Sequence, residues 1–200
     1  MKKYLVIGIA AAVLIGLAEF VRVAHTRGSE QPGTGQSSSE ARAPFAIIPI
    51  GKRLLAPDIS LTTSDGKQFV LSKAVQSGPV VLDFWASYCG PCQAGIPHLE
   101  AMYQKYASKG VQFYGVNNFD SPDDVKKAEA SLHVTFPTLI DANSDASRAY
   151  GVSAIPMTLV IGRQRHLLAG CMGFDENMDT DLGSTLDRVA TMNSDMEQTD

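Results

Sequence analysis

A mixed-sheet α/β fold is the prediction for this chain, and three observations carry it. Short apolar runs of strand composition alternate with segments of helical periodicity. The run Val80-Val81-Leu82 is apolar throughout, as a strand covered on both faces is, and it leads into a helix that starts on two cysteines, Cys89 and Cys92. Near the end, Met157–Ile161 and His166–Ala169 flank Gly162 as a hairpin, so the sheet closes with an antiparallel pair. The 200 residues are 44% hydrophobic and 19% charged, enough for one ordinary domain with segments to spare at both ends. A net charge of −4 without a basic run argues against nucleic acid as a partner, and three cysteines are too few for a stapled miniprotein.

Residues 1–27 read as a membrane-targeting segment. Lys2 and Lys3 precede fifteen uncharged residues, Tyr4 to Ala18, before Glu19 interrupts and Phe20–Ala24 resumes weakly. A span needs about 20 apolar residues, so residues 19–24 must join an uncleaved signal anchor. The other reading is a signal peptide cleaved near Gly16-Leu17-Ala18. The leading lysines leave the N-terminus inside and the rest of the chain on the extracytoplasmic side. Residues 28–55 are assigned to a flexible linker, poor in large apolar residues through Ala43, with a short apolar run Phe45–Ile50 whose packing the sequence leaves open.

The folded domain is expected over residues 56–192, with 193–200 as a disordered tail. Ile59–Thr62 and Gln68–Leu71 alternate about Ser64-Asp65-Gly66 as an N-terminal β-hairpin, and Ser72–Gln76 makes a helical turn. After the central strand, Ile96, Leu99, Met102, Tyr103 and Tyr106 recur at helical spacing up to a stop at Gly110. Val111–Asn117 is the next strand. Ser121 caps a helix with Pro122 at its first position and Asp123 and Asp124 in its first turn. A short strand Phe136–Ile140, a short helix Ser144–Tyr150, the closing hairpin and a helix Asn177–Met192 complete the order.

The chemistry concentrates in Asp83-Phe84-Trp85-Ala86-Ser87-Tyr88-Cys89-Gly90-Pro91-Cys92. A helix N-terminus offers unpaired N–H groups and the positive end of a dipole, which stabilise a thiolate at Cys89, expected to be exposed there, and make it a nucleophile. Cys92, one turn deeper, is placed to resolve the mixed disulfide that Cys89 forms. Gly90 and Pro91 keep the ring tight without charge. A fixed disulfide is disfavoured because so short a loop constrains little of the unfolded chain. Zinc is disfavoured because no second CxxC exists and His98, His133 and His166 lack ligand spacing. Asp83 interrupts a buried strand: facing inward it would have a raised pKa suited to taking the proton of Cys92, whereas at the solvent end of the strand it would be ordinary. Cys171 reads as a small buried hydrophobe or a regulatory third thiol.

Trp85 through Cys92 resembles the thioredoxin active-site motif, with Tyr88 where Trp is commoner. Asp83, Pro97 and Ile155-Pro156 extend the resemblance to thioredoxin's buried acid, helix-bending proline and cis-proline loop. With the export segment, the Ala56–Ile59 entry to the hairpin and a strand–helix insertion between Val111 and Ile140, the chain resembles membrane-anchored, extracytoplasmic thiol–disulfide oxidoreductases of the TlpA/ResA type in the redoxin (AhpC/TSA) superfamily. The resemblance covers about residues 56–192.

It implies a thioredoxin-like fold and a redox-active Cys89–Cys92 disulfide in place of a cofactor, with no metal. It also implies a client groove of Trp85, Tyr88, Gly90, Pro91, Ile155 and Pro156, in which Ile155 pairs with extended substrate by strand addition. Trp85 supports the active-site loop or is plain core, and Pro97 is structural. The implied partners are protein disulfides or dithiols, apocytochrome c among the clients of related proteins. Cys-Gly-Pro-Cys with Asp83 is thioredoxin's combination and points to a disulfide reductase, and a reductant outside the cytoplasm calls for a membrane thiol transporter as electron donor. One departure stands out: many relatives carry a glutamate three residues after the second cysteine, where this chain has Gly95. A peroxiredoxin-like peroxidase and a non-catalytic binding or chaperone module are the rival functions.

Overall fold

The computed structural model describes residues 46–47 and 53–191. The targeting segment, most of the linker and the tail therefore lie outside the described residues. In chain order the elements are β1 (Ala46–Ile47), β2 (Ser60–Thr63), β3 (Gln68–Val70), α1 (Leu71–Ser77), β4 (Val80–Phe84) and α2 (Gly90–Tyr106, extended by a 3₁₀ turn at Ala107–Lys109). They continue with β5 (Gln112–Asn117), α3 (Pro122–Leu132), β6 (Thr138–Ile140), α4 (Asp145–Ala149), β7 (Met157–Ile161), β8 (Leu167–Met172) and α5 (Met178–Thr191). Among the described residues eight strands form one mixed sheet in the order β1-β8-β7-β4-β5-β6-β2-β3.

β4 sits at its centre, parallel to β5 and antiparallel to β7, with all five residues buried. Its pleat divides the core. Val80, Leu82 and Phe84 pack toward the hairpin, α1 and Tyr150. Val81 faces Leu99, Met102 and Tyr106 of α2 and Leu182, Leu186 and Val189 of α5. By the same alternation Asp83 shares the face of Val81, the face that α2 covers.

α2 forms here because its apolar positions return to one side and because the chain stops it cleanly. The chain leaves the 3₁₀ turn at Gly110, whose φ of 83° is open to glycine at little cost. Each of the buried side chains Ile96, Leu99 and Met102 is worth roughly 1.5–3 kcal/mol of transfer energy. The Tyr106 hydroxyl, fully buried, donates to the Gly183 carbonyl at 2.9 Å and joins α2 to α5. α3 begins as its sequence requires: the Ser121 side chain accepts from the Asp124 N–H, and Pro122 opens the first turn.

Several boundaries shift from the sequence reading: β6 begins at Thr138 and not at Phe136, β8 runs to Met172 and so takes in Cys171, and two further shifts change what an element is. Leu71, assigned to the second hairpin strand, instead opens α1, because burying its side chain completely beneath the hairpin turns the chain there. Within the stretch assigned to the linker, Ala46 and Ile47 pair with Gly170 and Ala169 of β8, and the Leu167 N–H donates to the Leu54 carbonyl at 2.9 Å. The physical reason is the edge: β8 would otherwise present unpaired backbone groups.

Gly115 of β5 is the tightest contact beneath the active-site loop. A Cβ there would stand 2.6 Å from Trp85 Nε1 and 3.0 Å from Thr138 Oγ1. Gly115→Ala is therefore expected to destabilise the fold by about 1–3 kcal/mol through overpacking. Denaturant unfolding checks this, and an unchanged midpoint would refute the packing described.

Candidate active site

Cys89 occupies the N-cap of α2 in extended conformation (φ −82°, ψ 103°), and its Sγ accepts from the Cys92 N–H at 3.2 Å. The two are joined as a disulfide, with Cα atoms 5.2 Å apart. Gly90 and Pro91 lie exposed between them. Cys89 is less open than the sequence suggested: it keeps 8% of its surface against 1% for Cys92. The cover comes from the loops around it. Tyr88, Phe119 and Val152–Ile155 line a groove of about 340 Å³ with Cys89 in its wall.

Asp83 is buried at 3% exposure, which removes the reading of an acid at the solvent end of the strand. Burial pushes its carboxyl up to about 7, and a 2.8 Å hydrogen bond donated by the Thr158 hydroxyl opposes part of that rise. Thr158 pairs with Asp83 across β4 and β7, so the sheet register itself aims the hydroxyl at the acid.

The Ile155–Pro156 peptide bond is cis. Pro156 is buried, Ile155 lines the groove, and the Gly173 N–H donates to the Pro156 carbonyl at 2.8 Å, tying this loop to the end of β8. Trp85 is 1% exposed and clusters with Ala86, Cys89, Cys92 and Ile96, so it is core and shares that cluster with both cysteines. Burying an indole removes roughly 150–250 Å² and contributes about 4–6 kcal/mol. That exceeds the 1–3 kcal/mol, roughly, charged for an unpaired donor such as its Nε1. Pro97 stands apart from the groove, exposed in the middle of α2.

Gly95 is buried against Phe174, and a Cβ there would meet the ring at 3.1 Å. The aromatic ring thus fills the space in which a longer side chain at 95 would start. Phe174 also lies against His98, with ring centroids 5.2 Å apart, and His98 Nδ1 pairs with Asp179 at 2.9 Å. Cys171 is half-buried opposite Thr158, and burial pushes its thiol up to about 12, far from a nucleophile's range. Among the described residues no group of three or more His, Cys, Asp or Glu could hold a metal ion, and no helix is long and apolar enough to cross a membrane.

Sequence reasoning missed Phe119, Asp120 and Thr158. Thr158 had a signal, since a polar residue in an apolar strand opposite Asp83 invites the question of its partner. Phe119 and Asp120 read only as the approach to a helix.

The pattern of the AhpC/TSA family matches residues 53–169. The thiol-disulfide oxidoreductase ResA of Geobacillus thermodenitrificans is 32% identical over 120 residues, 58% of this chain and 68% of that protein. A Chlorobium tepidum crystal structure described as a thiol:disulfide interchange protein DsbE superposes with a TM-score of 0.63 at 32% identity, covering 68% of this chain and 94% of that one. A Bacteroides thetaiotaomicron solution structure described as a protein disulfide isomerase shares the fold at a TM-score of 0.67 and 21% identity, over 78% of this chain and 99% of that one.

Asp83 makes stability depend on pH in a direction opposite to the common carboxylate. The folded state holds the proton up to about 7, while the unfolded chain releases it near 3.9. Between those values the folded state binds the extra proton, so stability falls as pH rises from about 4 to about 7 and is level above. Asp83→Asn, neutral throughout, should stabilise the oxidised protein by about 2–4 kcal/mol at pH 8 and by almost nothing at pH 4. Denaturant midpoints at the two pH values test it, and an equal gain at both would sink the assignment.

Proposed function

This chain belongs to the AhpC/TSA family, and from that premise we propose that its thiol–disulfide oxidoreductase activity runs through Cys89 and Cys92, with Asp83 as the proton acceptor and exported proteins as clients. The observation that carries the proposal is the juxtaposition in β4 and α2: a buried acid on the face that α2 covers, and a cysteine pair at that helix's N-terminus.

In the reduced protein the α2 dipole favours the thiolate of Cys89, which attacks one sulfur of a client disulfide. The client's other sulfur leaves as a thiolate and takes a proton from solvent. Cys92 then gives its proton to the Asp83 carboxylate and attacks the Cys89 sulfur of the mixed disulfide, displacing the second client thiolate. Two electrons have moved to the client and the Cys89–Cys92 bond has formed. An acid with a pKa of about 7 accepts this proton and returns it near neutral pH.

The client's flanking chain lies extended in the groove, with Ile155 beside Pro156 offering its backbone and Tyr88 its ring. Trp85 supports the loop from below. The direction is reduction, in keeping with a Cys-Gly-Pro-Cys sequence above a buried acid. The domain sits outside the cytoplasm on an N-terminal anchor, recharged by a membrane dithiol donor, with apocytochrome c among the clients that suit it.

Cys92→Ser tests the scheme. Without the resolving thiol, Cys89 should accumulate covalent client adducts that dithiothreitol releases, and Cys89→Ser should accumulate none. A redox titration tests the direction: a potential near −270 mV fits a reductant, and one near −120 mV would overturn it.

A further inference from the structure

Past Trp85, whose N–H still donates to the Val116 carbonyl at 3.1 Å, the ladder between β4 and β5 ends. The two parallel strands part there, one chain entering the active-site loop and the other the approach to α3. One carboxylate joins the two loops. Asp120 Oδ2 accepts from the Ser87 N–H and from Asn117 Nδ2, each at 2.7 Å, and Oδ1 accepts from the Ser87 hydroxyl at 2.7 Å. Asn117, completely buried, turns its own Oδ1 to accept the N–H groups of Phe119 and Asp120, each at 3.0 Å. Gln93 in the first turn of α2 holds Ser87 from the other side by donating to its carbonyl.

On the surface above this knot, two large apolar groups stand in the open. Tyr88 is 66% exposed and Phe119 52%, and their rings meet edge to face with centroids 5.9 Å apart. Both line the groove that reaches Cys89. Tyr88 follows Ser87 directly, and Phe119 precedes Asp120 directly. The carboxylate therefore ties together the two segments that carry the rings.

We propose that Asp120 is a positioning residue for client selection: by fastening Ser87 to the Phe119 loop it builds an aromatic wall that favours clients with a large apolar side chain beside the reacting cysteine. The inference rests on the redox reading of Cys89 and Cys92 and adds which clients that site takes. Cys89 in the groove wall commits the occupant to the stretch of client that flanks its own cysteine. The carboxylate keeps its charge while it does this. Burial works against ionisation, yet the hydrogen bonds from Asn117 and Ser87 outweigh it and hold Asp120 below the usual carboxylate range. The knot is therefore the same at pH 5 and pH 8.

The test is steady-state reduction of two synthetic peptide disulfides by the full chain, one with Leu beside each cysteine and one with Ser, with dithiothreitol reopening the Cys89–Cys92 bond after each turnover and the rate without protein subtracted. For the unaltered protein KM should be about tenfold lower for the Leu peptide, the scale of one buried apolar side chain. Asp120→Asn offers one acceptor oxygen where three donors now converge. It should raise KM for the Leu peptide about tenfold at both pH 5 and pH 8, erase the preference, and change kcat less than twofold. Ser87→Ala, which removes only the hydroxyl, should shift the same KM about threefold and serves if the first variant does not fold. No preference in the unaltered protein, a preference that survives Asp120→Asn, or a loss confined to kcat each overturns the proposal. Turnover that persists in Cys89→Ser would instead sink the redox reading beneath it.

Discussion

A carboxyl group in the middle of a buried strand is the constraint that the remaining structure answers to. β4 has apolar side chains at Val80, Val81, Leu82 and Phe84, and at Asp83 it admits a group whose ionisation the interior opposes. The sheet meets this with one hydroxyl from Thr158, supplied by register across β7, and leaves the rest of the cost in place. A fully satisfied carboxylate would be an ordinary low-pKa acid with no interest in a neighbour's proton. The partly satisfied one sits at about 7, so its protonated and ionised forms are comparably populated near neutrality, a condition that suits proton exchange.

The same economy shapes the two sulfurs. Cys89 takes the helix N-cap and keeps a sliver of surface, while Cys92 is closed off with Trp85 and Ile96. Position along one helical turn thus gives two chemically identical side chains different surroundings. Cys171 shows the converse: it stands opposite Thr158, near the same acid, and burial leaves it a protonated thiol. Phe174 packs its ring on Gly95, so that a side chain at 95 would have to displace the ring by a few tenths of an ångström.

Much of this was legible before any coordinates. The apolar run ending in Asp83, the two cysteines at a helix start, and the helical repeat through Tyr106 are local patterns, and local patterns survive into three dimensions. The linker boundary was harder, because Ala46 and Ile47 form a strand only on account of the β8 edge, which lies more than a hundred residues away in sequence. Asp120 was hidden for a related reason. Its neighbours Ser121 and Pro122 announce a helix so clearly that the acid before them draws no notice, and its partner Ser87 belongs to another loop. Pairings set by tertiary register leave no periodicity to read.

Trp85 is the only tryptophan in the chain, and it packs in the same cluster as both sulfurs. Disulfides quench excited indoles by accepting an electron at close range, whereas thiols do so weakly. The molecule therefore carries its own optical gauge: emission is expected to brighten when the bond opens and to dim when it closes, in unlabelled protein.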